Sequence, residues 1–226
     1  RHQLIAGFEY RFDMTRDQAN FDKAPPFVYL DSREQRQIWS PYATVELNLR
    51  TNVTLNAGIR HDQYESFGGT TNPRMGLIYQ PRQATTIKYI YGEAFRAPNA
   101  FEQFYGDSGF TAKPNPGLEP ETIATHELVW EERLSPSILI ASSVFQYDID
   151  DLISQISDPS DDLLVYQNEA AIRARGVEFE LQGALKSGIT GRASYAYQST
   201  ENLTAAATLF NSPRHLAKFQ LSLPLI

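Results

Sequence analysis

The feature that most constrains this chain is a two-residue alternation of apolar and polar side chains, which returns along most of its length. In the first segment, Leu4, Ala6, Phe8, Tyr10 and Phe12 alternate with the mostly polar set Ile5, Gly7, Glu9, Arg11 and Asp13. Successive side chains of a strand point to opposite faces, so this period predicts a β-strand with one apolar face.

The same period predicts nine further strands. Their apolar positions lie within residues 39–49, 53–59, 75–79, 87–95, 121–134, 137–149, 177–181, 189–197 and 219–223. The strand at 75–79 is expected to be short, and Glu93 interrupts the apolar face of the strand at 87–95. Both strands between 121 and 149 have mixed faces, although Leu128 with Trp130 and Phe145 with Tyr147 keep the spacing.

The connections between these strands alternate in length. Short turns are predicted at 51–52, 80–84, 135–136 and 186–188, and longer polar segments at 14–35, 67–71, 97–120, 150–166 and 199–212. The sequence therefore predicts an all-β, antiparallel up-and-down meander of about ten strands with one tight rim and one elaborated rim. That asymmetry is typical of a transmembrane β-barrel.

A soluble antiparallel sheet is the alternative interpretation, because it alternates in the same way. Such a sheet needs a second layer over its apolar face, yet no amphipathic helix or second set of strands is evident here. Lipid supplies that cover in a barrel, and the Arg, Lys, Glu, Asn and Gln of the opposite face suit a water-filled lumen. No period of roughly 40–50 residues favours a propeller.

Composition excludes several classes of protein. No apolar run approaches the roughly 20 residues of a membrane-spanning helix, the chain has no cysteine, and its net charge of −7 argues against binding nucleic acid. The four histidines, His2, His61, His126 and His215, lack metal-ligand spacing and are expected in the polar lumen or at a rim. No nucleophile elbow and no His-Glu-x-x-His pattern is present, so neither an enzyme, a metal site nor a cofactor is expected.

Two local patterns carry more specific expectations. The acidic residues Asp148, Asp150, Asp151, Asp158, Asp161 and Asp162 crowd one segment, where a solvated loop is favoured over a Ca²⁺ site because the ordered calcium-loop pattern is missing. Gly176 predicts a bulge or a close backbone approach that re-aims the strand, because Arg173 and Arg175 share the parity of Val177.

Several motifs resemble one known family when taken together. They are Tyr91-Gly92-Glu93-Ala94-Phe95-Arg96-Ala97-Pro98-Asn99-Ala100-Phe101-Glu102-Gln103-Phe104-Tyr105, then Asn115-Pro116-Gly117-Leu118-Glu119-Pro120-Glu121-Thr122, residues 145–153, Asn168 with residues 175–180, and Asn211-Ser212-Pro213-Arg214-His215. In order and spacing they resemble the "FRAP…ELY…NPxLxPE" region in the C-terminal half of the barrel of TonB-dependent outer-membrane receptors.

The resemblance implies that residues 1–226 are part of a 22-stranded barrel in the outer membrane of a Gram-negative bacterium. It also implies an N-terminal plug domain and a TonB-type energy-coupling partner. The parent would import a scarce nutrient such as a ferric siderophore, cobalamin or a similar chelate. The plug and the terminal barrel strands are expected to lie outside this chain, which starts without methionine and ends at Leu225-Ile226 without a terminal aromatic residue.

A ligand-binding surface is predicted at Arg96, Phe101, Phe104 and Tyr105, because clustered rings beside a cation suit a chelate. The alternative is a short amphipathic turn that packs the loop onto the rim. A passive porin or adhesin and a small-barrel outer-membrane enzyme remain as other functions. The isolated piece is also expected to self-associate through its open sheet edges.

Overall fold

The computed structural model describes residues 2–185, 188–209 and 212–224, and most of them lie in strands. The elements are β1 (His2–Asp13), β2 (Gln18–Lys23), β3 (Pro26–Ser32), β4 (Arg36–Arg50), β5 (Val53–Tyr64), β6 (Gly68–Arg82), β7 (Thr85–Arg96), α1 (Ala100–Phe104), β8 (Glu121–Ser135), β9 (Ile138–Ser157), β10 (Leu164–Ala184), β11 (Thr190–Asn202), β12 (Ala207–Thr208) and β13 (His215–Ser222). In the described ranges, no helix is both long and apolar enough to cross a membrane.

One antiparallel sheet contains all the long strands. Its order is β1-β4-β5-β6-β7-β8-β9-β10-β11, and both β12 and β13 then pair with the far edge of β11. Strands β2 and β3 form a separate hairpin between β1 and β4. The predicted meander of about ten strands is therefore confirmed, with the two-residue β12 as an addition.

Several predicted strand ends were wrong. The strand expected at 75–79 is the 15-residue β6, the loop expected at 67–71 shrinks to a turn at 65–67, and most of the loop expected at 150–166 belongs to β9 and β10. These segments lie at the elaborated rim, where the strands extend beyond the region with one apolar face. The alternation of apolar and polar side chains therefore fades there, while the backbone pairing continues. The turn expected at 186–188 and the motif start at Asn211 fall partly outside the described residues.

The pairing registers place the alternating positions of neighbouring strands side by side. Leu4 lies opposite Val45, Val45 opposite Ala57, and Ala57 opposite Met75. This surface, here called the apolar face, continues to the last strand and is exposed, with Phe219 at 76% and Leu4 at 72%. It also carries Phe8, Tyr10, Trp39, Leu47, Ile59, Leu77, Tyr79, Leu128, Trp130, Val144, Val177, Phe179, Leu181, Tyr195, Tyr197 and Leu221.

The opposite surface, here called the polar face, is the concave one. A trough of about 610 Å³ lies on it and is lined by side chains of five neighbouring strands, from Glu127 on β8 to Lys218 on β13. The mixed face of β9 has a simple cause, because Phe145 lies on the polar face directly opposite Gly176. A Cβ atom on Gly176 would lie 2.7 Å from the Phe145 ring and 2.3 Å from the carbonyl oxygen of Tyr197.

The predicted close backbone approach at Gly176 is therefore confirmed, whereas the predicted bulge is wrong. The register irregularities between β10 and β9 fall earlier, between Asn168 and Ala170 and between Ala170 and Ile172. Pairing is continuous through Gly176, so Arg173 and Arg175 stay on the same face as Val177.

Candidate functional site: the polar face and the loop rim

Charged side chains of the polar face are paired with each other across the strands. Arg60 on β5 donates to Glu9 on β1 at 3.0 Å and to Asp62 at 2.8 Å. Lys88 likewise pairs with Glu131 at 2.5 Å, and Arg192 with Glu180 at 2.6 Å. A face of this composition suits the watery interior of a barrel, where charged groups need not be desolvated.

Arg96, the last residue of β7, connects four elements at the rim. Its guanidinium donates to Glu102 of α1 at 2.9 Å and, through Nη2, to Glu121 of β8 at 2.7 Å. Glu121 also accepts the backbone N–H of Ile153 on β9 at 2.9 Å. Glu102 closes a capping box with Asn99 at the start of α1. The guanidinium of Arg96 therefore binds two carboxylates of the protein itself.

The second motif fastens the same loop to the β9–β10 hairpin. Leu118 is only 1% exposed. The Asn115 side chain donates to the Tyr166 carbonyl at 2.8 Å. Asn168 accepts the N–H of Glu119 at 3.0 Å and donates to its carbonyl at 2.9 Å. These motif residues hold the loop at 97–120 on the rim.

The four predicted ligand residues lie around α1. Phe101 is 46% exposed; its ring stacks on Tyr105 with centroids 4.3 Å apart and meets Tyr166 edge-on at 6.1 Å. Phe104 is half-buried beneath the Arg16 guanidinium, which lies 6.0 Å from its ring centre. The structure thus brings Phe101 and Tyr105 together as one surface, while Arg96 is engaged by Glu102 and Glu121.

The hairpin β2–β3, which the sequence analysis missed, docks onto this loop. Gln18 donates to the Ala100 carbonyl at 2.7 Å, Asn20 to the Tyr105 hydroxyl at 3.4 Å, and Ser108 to the Tyr29 carbonyl at 2.9 Å. Phe27, Tyr29 and Phe110 also meet edge-to-face, with centroids 4.7–5.9 Å apart. The Pro25-Pro26 pair between two aromatic residues was the turn signal that could have revealed this hairpin.

Carboxylates fix the shape of the loops. Asp107 accepts from the Thr111 hydroxyl and from the N–H groups of Ala112 and Thr111, and these bonds lower its pKa to about 2. The ammonium of Lys113 lies 2.6 Å from Asp158 and 2.8 Å from Asp161. This contact lowers the pKa of Asp158 and raises that of Lys113.

Three of the six crowded aspartates have a cationic partner inside the protein. Asp158 and Asp161 hold Lys113, and Asp148 pairs with Arg173 at 2.5 Å. Within the part of the chain that the structure describes, no group of three or more potential ligands is placed to hold a metal ion.

The histidines were expected in the polar lumen or at a rim, and the lumen alternative was wrong. By register all four share the apolar face, His2 opposite Leu47 and His61 opposite Thr71. His126 and His215 are hydrogen-bonded to tyrosine hydroxyls, to Tyr89 at 2.9 Å and Tyr195 at 2.7 Å. These hydroxyl partners satisfy the imidazole rings without a polar surface around them.

Comparison with known proteins agrees with this geometry. The family described as "TonB dependent receptor-like, beta-barrel" matches residues 1–224. The vitamin B12 transporter BtuB of Vibrio cholerae is 30% identical over 131 residues, which are 58% of this chain and 20% of that protein. A mutant of the ferric enterobactin receptor PfeA of Pseudomonas aeruginosa superposes with a TM-score of 0.79 at 20% identity, covering 97% of this chain and 36% of that one.

The siderophore receptor PirA of Acinetobacter baumannii is also similar, with a TM-score of 0.75 at 16% identity over 96% of this chain and 36% of that one. An antiparallel sheet with one concave polar face and one exposed apolar face is typical of the wall of a membrane β-barrel. The chain belongs to the TonB-dependent receptor family, within its β-barrel domain. It spans 20% of the length of BtuB and 36% of that of PfeA.

Proposed function

We propose that this chain is a wall segment of an outer-membrane active transporter that imports a scarce nutrient with TonB-supplied energy. One observation carries the proposal: in a member of this family, a ten-strand sheet combines a concave, ion-paired face with an exposed apolar face. Water on the first face and lipid on the second satisfy both. The location is the outer membrane of a Gram-negative bacterium.

The relatives support the class of ligand. One is named a vitamin B12 transporter, and others are ferric enterobactin and siderophore receptors. We therefore propose a ferric siderophore, cobalamin or a similar chelate as the cargo. A plug domain and the remaining strands of a 22-stranded barrel would be supplied by sequence outside residues 1–226, and the TonB-type partner would act on the plug.

Ligand contact at the rim is assigned to the surface around α1. Phe101 and Tyr105 offer stacked rings to the cargo, and Phe104 supports them from within the loop. Arg96 contributes by holding α1 in place through Glu102 and Glu121, because both carboxylates already neutralise its charge. Aromatic faces of this kind bind large, weakly hydrated ligands.

An uptake experiment tests this function. The full-length protein is produced in iron-limited Gram-negative cells that lack their own receptors, and uptake of radiolabelled ferric siderophores and cobalamin is measured with and without a functional TonB. We expect uptake of at least one chelate only when both the receptor and TonB are present. Uptake that persists without TonB indicates a passive porin, and no uptake of any chelate contradicts the proposal.

The domain organisation has a simpler test. An antibody against this segment should detect a native product in outer-membrane fractions at roughly two to three times the 25.6 kDa of the chain. A band near the mass of the chain would favour a small-barrel enzyme or an adhesin. Made alone, the segment is expected to self-associate through the edges of β1 and β13.

A further inference from the structure

Two arginines lie on the apolar face of the sheet, where contact of a charge with lipid is costly. Arg173 and Arg175 share this face with Val177, because the pairing of β10 is continuous here on both sides. Arg173 is neutralised by Asp148 at 2.5 Å. Arg175 is exposed, and its guanidinium forms no ion pair with any described residue. The position of this unpaired cation therefore calls for an explanation.

Arg175 lies where the apolar face ends. A row of polar side chains on this face crosses four strands at that point, and it consists of His126 on β8, Gln146 on β9, Arg175 on β10 and Ser199 on β11. The neighbouring row on the same face contains only apolar and aromatic side chains, namely Leu128, Val144, Val177 and Tyr197. The surface therefore changes from apolar to polar between two adjacent rows.

This boundary lies toward the long loops. Strand β10 begins at Leu164, directly after the β9–β10 hairpin, so Arg175 is nearer to that rim than Val177. In outer-membrane barrels the longer loops face the cell exterior, and aromatic residues form a girdle at the edge of the apolar band. Tyr197, directly opposite Val177, lies at such an edge. The row that contains Arg175 therefore falls at the level of the lipid headgroups in the outer leaflet.

The acidic groups of this surface face Arg173 rather than Arg175. Asp148 on β9 and Glu201 on β11 both lie directly opposite Arg173. The direct neighbours of Arg175 on the same two strands are uncharged, and one of them, Ser199, adds a hydroxyl donor. A guanidinium with a hydroxyl beside it suits a phosphate group, whose oxygens accept charge-assisted hydrogen bonds.

We propose that Arg175 and Ser199 bind the phosphate of an anionic lipid in the outer leaflet. The guanidinium and the hydroxyl donate to the phosphate oxygens, and the acyl chains of the same lipid lie along Val177 and Phe179, which are 44% and 50% exposed. The site is on the surface opposite the concave polar face, so its occupant belongs to the membrane and is not the transported cargo. The inference rests on the proposed function for the membrane around the sheet.

The test measures which lipid lies beside this position. The full-length receptor, with no other cysteine, carries a fluorophore at Val177→Cys in phosphatidylcholine vesicles that contain a small fraction of nitroxide-labelled phosphatidic acid or phosphatidylcholine. Quenching reports the local amount of each lipid. We expect phosphatidic acid to be enriched about fivefold, the effect of one arginine at an anionic surface. A fluorophore at Ile59→Cys is the control, because Ile59 lies on the same face between the uncharged Ala43 and Pro73.

Two variants and a matched control separate lipid binding from folding. Arg175→Gln should abolish the enrichment at Val177→Cys. Arg33→Gln should keep it, because it removes the same charge from an exposed loop outside the sheet. Ser199→Asp leaves Arg175 in place but gives it a carboxylate directly opposite. It should therefore abolish the enrichment without lowering the unfolding temperature.

Three results would overturn the lipid site. They are equal quenching by the two lipids at Val177→Cys, enrichment of the same size at Ile59→Cys, and enrichment that survives in both Arg175→Gln and Ser199→Asp. Enrichment that disappears on adding inorganic phosphate at constant ionic strength would assign the site to free phosphate instead of lipid. Chelate uptake separates this site from the transport function, because enrichment that both variants lose supports the site even when the receptor imports no chelate.

Discussion

The sheet and the loop rim of this molecule are held together in different ways. The sheet is a regular backbone ladder whose side chains only need to be apolar on one face and polar on the other. The rim depends on individual side chains, such as Arg96 between Glu102 and Glu121 and Asn168 against Glu119. The sheet therefore tolerates exchange within a class of side chain, whereas the rim does not.

The largest effect on stability is expected at Gly176, where the sheet has no room for a side chain. Gly176→Ala places a Cβ atom 2.3 Å from the Tyr197 carbonyl oxygen and 2.7 Å from the Phe145 ring, so backbone must move. We expect a loss of roughly 3 kcal/mol of unfolding free energy, measured by urea denaturation of the full-length receptor in detergent. Gly183→Ala in the same strand is the control, since its Cβ meets nothing within 4 Å. Equal losses would refute the packing argument.

The next prediction compares the stability cost of a charge on each face of the sheet, at two adjacent residues. Phe219→Arg puts a charge on the apolar face, whereas Gln220→Arg puts it on the polar face. A cation on the lipid surface of a barrel wall costs from about 0–1 kcal/mol near the interfaces to about 2–4 kcal/mol at the midplane, so Phe219→Arg should be the destabilising one in lipid vesicles. A surface charge costs roughly 0.5 kcal/mol or less, which is the expectation for Gln220→Arg. The reverse order would show that the faces are assigned wrongly.

A smaller, local effect is expected at the rim. Arg96→Lys cannot satisfy Glu102 and Glu121 together, because an ammonium lacks the planar fork of a guanidinium. We expect roughly 1 kcal/mol less protection against hydrogen exchange in residues 97–120, with the sheet unchanged. Arg133→Lys serves as the control, because Arg133 forms no ion pair with a described residue. Equal exchange in both variants would argue against the anchor.

The smallest effect concerns pH. Folding lowers the pKa of Asp107 from 3.8 to about 2. Its contribution to loop order is therefore complete above pH 3.8 and is lost as the pH falls through about 2. Pepsin cleavage at the exposed Phe110 should rise across that window in the wild type and be high throughout it in Asp107→Asn. Cleavage that is independent of pH would contradict the role of Asp107.

The sequence predicts the sheet better than the loop rim. The alternation that starts at Leu4 and ends at Leu223 is local, so it predicts the ten strands, their two faces and the alternating rims. It fails for Phe145, which lies on the polar face because Gly176 across the ladder has no side chain. That reason depends on a residue 31 positions away and is not visible in either strand alone.

The rim was predicted less well for the same physical reason. The motif containing Arg96 marks the loop correctly. Only the fold shows that Arg96 forms ion pairs with Glu102 and Glu121. Gln18 and Asn20 reach residues 82 and 85 positions further along the chain. Contacts between distant polar side chains leave no periodic trace in a sequence.

If the apolar face of this sheet lies against lipid, spin labels along one strand will alternate in their exposure to lipid. Single spin labels are placed at residues 216 to 222 of the full-length receptor in a bilayer, at cysteines that this chain otherwise lacks, and their collision rates with oxygen are measured. We predict a two-residue period with maxima at Ala217, Phe219 and Leu221. A flat profile, or maxima at Leu216, Lys218 and Gln220, would contradict it.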